Sequence, residues 1–204
     1  SINTGSLSKN SNIKINNQAN CVMVKPISSF VEQIEKIDEI IINNKNTKFT
    51  IIGSGIAGYE ISFSLFEWYK DKVTITLIGS DNIKEQNINS ASKKKLMNLA
   101  KKIGIIIKNE TVKEIDSKRI LLSNGDSIYS DINFLSTGSA APQWLSESSV
   151  KTDKKGFAKV NCQLQSINFD NIFITGDIAS IKERPRAKSG VMAVRHGEVL
   201  RENI

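Results

Sequence analysis

The sequence predicts an α/β protein in which a parallel sheet is followed by a β-meander. Three observations carry this. Between residues 26 and 107, short apolar runs alternate with amphipathic stretches of helical period. A glycine-spaced turn, Gly53-Ser54-Gly55-Ile56-Ala57-Gly58, joins one apolar run directly to the helical stretch after it. From residue 112 the apolar period falls to two, with Asn124-Gly125 set between two such runs.

The elements follow in order. Residues 7–20 are polar and rich in Asn and Ser, and read as a loop or a poorly ordered arm. Pro26 opens a helix whose apolar face is Phe30, Val31, Ile34, Ile37 and Ile41, and which ends at Asn43, Asn44 and Asn46. Phe49–Ile52 is a buried type of strand, followed by a helix to about Lys70 with Ile61, Leu65 and Trp68 on one side. Val73–Ile78 is the second strand, closing a βαβ unit of the length that parallel pairing requires. A helix over 90–103 with Leu96, Leu99 and Ile103 in register leads to a third strand at Ile105–Ile107. Val112, Ile115, Ile120, Leu122 and Ile128 mark the meander, and Ile132–Leu135 is one further buried strand. The rest holds a loop with Pro142 and Trp144, a strand near 157–160, the apolar run Ile172–Ile174 and a last helix from about Ser189.

Composition excludes several classes. The chain has 204 residues, 39% hydrophobic and 24% charged, which fits a globular protein of one domain or two small ones and excludes disorder or a collagen-like repeat. Cys21 and Cys162 have no CxxC spacing, so neither a metal ribbon nor a local redox disulfide is indicated, and a reducing, cytoplasmic setting is expected. Apolar runs are far below the roughly 20 residues a membrane helix needs. The net charge of +7 is dispersed along the chain, and Lys93-Lys94-Lys95 lacks interleaved aromatics, so nucleic-acid binding is not expected. No metal site is expected.

The glycine turn carries the chemistry. Gly53 allows the tight turn, Gly55 lets the backbone approach a pyrophosphate, and Gly58 lets the helix pack on its strand. The helix N-terminus meanwhile presents amide donors and a positive dipole end. Its placement between strand and helix predicts a Rossmann-like dinucleotide-binding unit. An acid that binds the adenosine ribose belongs at the end of the second strand, but Gly79 stands there, followed by Ser80 and Asp81. Asp81 either takes that role or is a solvated turn residue, and Lys84 is nearby. The choice between NAD and NADP stays open. A second signal is Thr175-Gly176-Asp177 at the end of an apolar strand, where a carboxylate can accept bonds from a polyol. Asn3-Thr4-Gly5-Ser6 is echoed by Ser136-Thr137-Gly138-Ser139, which suggests two crossings between adjoining domains.

In order, Gly53-x-Gly55-x-x-Gly58-x-Glu60, Ser136-Thr137-Gly138 and Thr175-Gly176-Asp177 resemble the FAD-dependent pyridine nucleotide-disulfide oxidoreductases, and within them the type II NADH dehydrogenase branch. Val24–Ile27, Ala141–Leu145, Gly156–Asn161 and Gly190–Gly197 are similar to the NADH dehydrogenase-like module associated with selenide, water dikinase. The resemblance implies residues 1–23 as an FAD-domain crossing segment and loop. It implies 24–136 as an NAD(P)-binding domain and 137–204 as the closing part of the FAD domain.

The resemblance further implies a cofactor-binding set. Gly53, Ser54, Gly55, Ile56, Ala57, Gly58, Glu60, Gly79 and Asp81 belong to the nicotinamide dinucleotide. Gly138, Gly176, Asp177, Lys188, Ser189, Gly190 and Val191 belong to the flavin side. Glu60 falls near the nicotinamide end or is a plain surface residue. Asp177 falls at the ribityl or pyrophosphate region, and the 188–191 helix start beside the flavin ring. Hydride would pass from NAD(P)H to FAD and on to a quinone or other non-disulfide acceptor, with no catalytic nucleophile and with His196 structural. The FAD domain's own N-terminal fingerprint is not in the sequence. The chain is therefore expected to be a fragment that is inactive alone, from a parent that associates peripherally with a membrane or pairs as a homodimer. The alternative is a non-catalytic nucleotide-binding sensor or docking module.

Overall fold

The computed structural model describes residues 1–9, 13–43, 46–80, 89–182 and 188–204. The chain divides into two compact units, one of Ser1–Lys9 with Ser139–Ile204 and one of Asn10–Gly138. The fold is mixed α/β with a parallel sheet, as the sequence predicts.

The Asn10–Gly138 unit is built on β3 (Cys21–Met23), β4 (Thr47–Ile52), β5 (Val73–Ile78), β6 (Ile106–Lys108) and β10 (Ile132–Leu135). They form one all-parallel sheet in the order β3-β10-β4-β5-β6. A parallel sheet is covered on both faces, so its strands are buried along most of their length. All four residues of β10 are buried, as are five of the six of β4. Helices α1 (Ile27–Asn43), α2 (Ile56–Tyr69) and α3 (Ser90–Lys102) supply Ile37, Ile41, Tyr59, Leu65, Tyr69 and Ala100 to the same core. Phe49 packs edge-on against Phe134 at 5.1 Å and Tyr69 at 5.6 Å between ring centres. The Tyr69 hydroxyl donates to Asp38 Oδ1 at 2.8 Å, and burial, with the Asp38 charge added, pushes its pKa up.

A second sheet of this unit pairs β2 (Lys14–Ile15) in parallel with β7 (Val112–Ile115), then runs antiparallel through β8 (Arg119–Leu122) and β9 (Ser127–Tyr129). Asn124-Gly125 lies between β8 and β9, and Gly125 has φ +93°, the left-handed backbone that this turn selects. In the other unit, β1 (Leu7–Ser8) pairs antiparallel with β11 (Ser139–Ala140). The sheet β14-β13-β12-β15 comprises β12 (Ala158–Val160), β13 (Gln165–Ser166), β14 (Phe169–Phe173) and β15 (Ala179–Ile181). Helices α4 (Gln143–Glu147) and α5 (Gly190–Asn203) complete it. No helix among the described residues is long and apolar enough to cross a membrane.

Several sequence expectations are corrected here. Residues 7–20 are not all loop, because they hold β1 and β2. Two-residue strands are too short to show a period, and both residues of β2 are exposed. Val31, Trp68 and Leu99 are exposed, not core (53%, 72% and 48%). The buried face of α2 runs through Tyr59, Ser62, Leu65 and Tyr69. Ser62 can sit in it because its hydroxyl donates to the Gly58 carbonyl one turn back, at 2.7 Å. In α3 the buried positions are Lys93 and Ala100, with Leu96 and Met97 partly buried beside them.

Candidate functional site

Two groups of residues are placed for ligand chemistry, one in each unit. In the Asn10–Gly138 unit, β4 runs straight into the glycine turn and α2. Gly53 has φ +120°, and a Cβ there would lie 2.2 Å from the Ser136 carbonyl oxygen at the end of β10. A Cβ on Gly58 would lie 1.8 Å from the Gly53 carbonyl oxygen. Both glycines are therefore required by close packing of strand, turn and helix. Gly55 differs: a Cβ there would meet nothing within 4 Å. It is the N-cap of α2 with no side-chain cap, and Ile56 and Ala57 beside it are exposed. The first-turn amides and the positive end of the helix dipole are left for an anion, and the open face of Gly55 lets a diphosphate approach the backbone. Glu60 is exposed one turn further along α2.

At the end of β5, a Cβ on Gly79 would lie 2.3 Å from Ser54 Oγ and 2.4 Å from Ser54 N. Ser54 is itself buried, and its hydroxyl donates to the Ser80 carbonyl at 3.3 Å. The glycine turn thus fills the space that a side chain at position 79 needs, which accounts for the missing ribose acid. Asp81 and Lys84 lie outside the described residues.

In the other unit, β14 and the apolar run Ile172–Ile174 lead into a turn carrying Thr175, Gly176 and Asp177. Gly176 has φ +68°, and a Cβ on it would lie 2.5 Å from Asn3 Oδ1. Ile2 is threaded beside the strand end, its amide donating to Phe173 O and its carbonyl accepting from Thr175 N. The Ser6 hydroxyl donates to Asp177 Oδ2 at 2.8 Å. The Gly176 amide donates to His196 Nδ1 at 3.1 Å, from α5. Burial above all, with the Lys188 charge, holds the His196 pKa below the usual histidine value, although Asp177 pulls it the other way. Lys188 is half-buried, with Nζ donating to the Ala179 carbonyl and lying 4.3 Å from the centre of the Phe157 ring. Burial lowers its pKa against the upward pull of Asp153 and Asp177. Helix α5 starts at Ser189 with no side-chain cap, and Gly190 and Val191 are exposed at its first turn. Gly138 (φ +101°) ends the other unit, with nothing within 4 Å of a Cβ on it.

Asn3, Ser6 and His196 carry no sequence motif that marks them as site residues. They belong to the Asp177 turn through tertiary contacts alone, and only the Thr-Gly-Ser echo that includes Ser6 hinted at them. Among the described residues, no group of three or more His, Cys, Asp or Glu is placed to hold a metal ion.

A parallel sheet whose central strand runs through a close-packed glycine turn into a helix defines a Rossmann-like nucleotide-binding protein. The chain belongs to the pyridine nucleotide-disulphide oxidoreductase family, whose model matches residues 2–197. It is 28% identical over 152 residues to coenzyme A disulfide reductase of Staphylococcus aureus strain MRSA252, and 30% identical over the same length to that of strain JH9. Each match takes in 74% of this chain and 34% of the relative, so the chain matches about a third of the length of these curated relatives. Among solved structures, reduced Bacillus anthracis CoADR-RHD superposes with a TM-score of 0.80 at 19% identity, over 98% of this chain and 36% of that one. The water-forming NADH oxidase of Lactobacillus brevis, bound to NADH, gives 0.77 at 19% identity, over 98% of this chain and 44% of that one. At such identities the structures show a shared fold.

Proposed function

We propose that the chain is the nucleotide-binding part, with a portion of the flavin-binding part, of an NAD(P)H-dependent flavoprotein oxidoreductase. The observation that carries this is the Gly53–Gly58 turn, closed by packing at its two ends and open at Gly55. The Asn10–Gly138 unit holds the nicotinamide dinucleotide, with the pyrophosphate on the amides of Gly55, Ile56 and Ala57 and with Glu60 toward the nicotinamide. Ser1–Lys9 with Ser139–Ile204 belongs to the flavin side. There Asp177, oriented by Ser6, accepts hydroxyl hydrogens of the ribityl chain. The 188–191 segment brings a lysine and an uncapped helix start to the ring, where positive potential favours its reduced form. FAD, when bound, supplies the hydride acceptor, and the protein's contribution is orientation and electrostatics.

We place the onward acceptor among quinones or other non-disulfide compounds, in the type II NADH dehydrogenase-like branch associated with selenide, water dikinase. Cys21 itself is no candidate for disulfide chemistry, since burial pushes its thiol up to about 11 and leaves little thiolate. A second reading, a nucleotide sensor without its own chemistry, is favoured by Gly79, because its position lacks a ribose clamp.

Calorimetry with NADH and NADPH tests the nucleotide unit. Binding of either, with less than about 2 kcal/mol between them since Gly79 offers the ribose no charged hydrogen bond, is expected. Absence of binding to both sinks the proposal. Steady-state assays of the FAD-loaded longer protein with a quinone and with a disulfide separate the acceptors, and turnover of the disulfide alone would reject the quinone assignment.

A further inference from the structure

We propose that His196 is a positioning residue for Asp177, its imidazole Nδ1 holding the Gly176 amide and so fixing the turn that carries the carboxylate. The inference deepens the flavin reading of Asp177 and rests on it for its functional meaning. Three residues from distant parts of the chain converge on this turn. Asn3 packs against the bare α-carbon of Gly176, Ser6 donates to Asp177 Oδ2, and His196 takes the Gly176 N–H from the α5 side. The first two restrain the turn sterically and through the carboxylate. His196 holds its backbone from α5, and does so with an atom that protonation abolishes as an acceptor.

The chemistry of the ring makes the role specific. An imidazole that accepts at Nδ1 is neutral and carries its hydrogen on Nε2, whereas an imidazolium has two donors and no acceptor. Protonation therefore sets a donor against the Gly176 N–H at 3.1 Å. Among the described residues Nε2 has no partner, so Nδ1 makes the ring's hydrogen bond in this unit. His196 is 6% exposed, and water does not readily replace the lost bond. The charged groups that act on it are Lys188, which opposes protonation, and Asp177, which favours it. A glutamine at 196 keeps an acceptor oxygen and does not titrate, and a leucine keeps neither property.

His196 is the single histidine of the chain, so nitrogen-15 histidine NMR of the 204-residue protein reports on it without ambiguity. The expected spectrum at pH 7.5 is that of the Nε2–H tautomer. One titration is expected below pH 6.5, with the Gly176 and Asp177 amide resonances moving at the same midpoint. In His196→Gln those amides stay at their neutral-pH positions throughout, and in His196→Leu they are displaced at every pH. An Nδ1–H tautomer, or a titration that leaves the Asp177 amide unmoved, overturns the proposal, and His196→Gln keeps the test decisive if the leucine variant fails to fold. With FAD as probe on the longer protein, affinity should fall up to tenfold per pH unit below the midpoint and be flat in His196→Gln. Amides that respond while FAD affinity does not would reject the flavin reading of Asp177 and leave the positioning role standing.

Discussion

The two units hold their glycine turns by different means. The Gly53–Gly58 turn is held by main chain against main chain, since Gly53 abuts the Ser136 carbonyl and Gly58 abuts the Gly53 carbonyl. The groups it is proposed to offer a ligand are amides, and no ionisable side chain is needed to form it. The Gly176 turn is held largely by side chains, those of Asn3, Ser6 and His196, and it presents a carboxylate. The first arrangement depends on the absence of side-chain atoms and the second, beyond the bare Gly176, on the presence of three side chains, so the second can also be broken by truncation.

The largest expected effect is at Gly58. Gly58→Ala puts a methyl 1.8 Å from the Gly53 carbonyl oxygen, a backbone conflict that should cost about 3 kcal/mol. At about 2–4 °C per kcal/mol for a protein of this size, the melting transition followed by circular dichroism should drop clearly, and an unchanged transition would contradict the packing described. Gly55→Val sharpens the contrast. Nothing lies within 4 Å of a Cβ there, so the loss of stability should stay near the cost of an apolar residue at an N-cap, about 1 kcal/mol. NADH affinity by calorimetry should fall at least about tenfold, or 1.4 kcal/mol, because the valine occupies the diphosphate approach.

On the other turn, Ser6→Ala removes a part-buried hydrogen bond to Asp177 and should cost about 1 kcal/mol by denaturant unfolding. A loss near zero would mean that Ser6 does not hold the carboxylate in solution. Smaller still is the acid response. The folded-state pKa of His196 lies below the 6.5 of free histidine, so the unfolded chain takes up the proton first. The stability linked to this group is complete above pH 6.5, declines as the pH falls toward the folded value, and is level beneath it. The slope is at most about 1.4 kcal/mol per pH unit. Comparing unfolding midpoints of the parent and His196→Gln at pH 7.5 and 5.5 isolates it, and equal acid losses in both would assign the loss to other groups.

The same contrast explains what can be seen in the sequence. β5 and β10 are legible at their observed limits because their buried positions are filled largely by Val, Ile, Leu and Phe, with only Thr74, Thr76 and Asn133 breaking the apolar runs. The glycine turn was legible because its constraints fall within six consecutive residues. The buried face of α2 was not, because Tyr59, Ser62 and Tyr69 carry hydroxyls and read as polar, while Ile61 and Trp68 offered a competing apolar stripe. Asp177 could be marked from its strand end. Its hydrogen-bond donor Ser6 stands 171 residues away, and no local period connects them. Asp81, the open question of the dinucleotide site, lies outside the described residues.

The antiparallel pairing of Leu7 with Ala140 and Ser8 with Ser139 has a consequence for synthesis. The ribosome delivers the first edge of that pair, together with Asn3 and Ser6, long before the second. Everything needed for the five-stranded parallel sheet emerges in between, and domains tend to fold as units in the order they emerge. The Asn10–Gly138 unit can therefore be complete while Ser1–Lys9 still waits for its partners. The Asp177 turn closes only after α5 leaves the tunnel, so a nascent chain halted when residue 140 has just left the tunnel should already contain the glycine turn but have no counterpart of the other site.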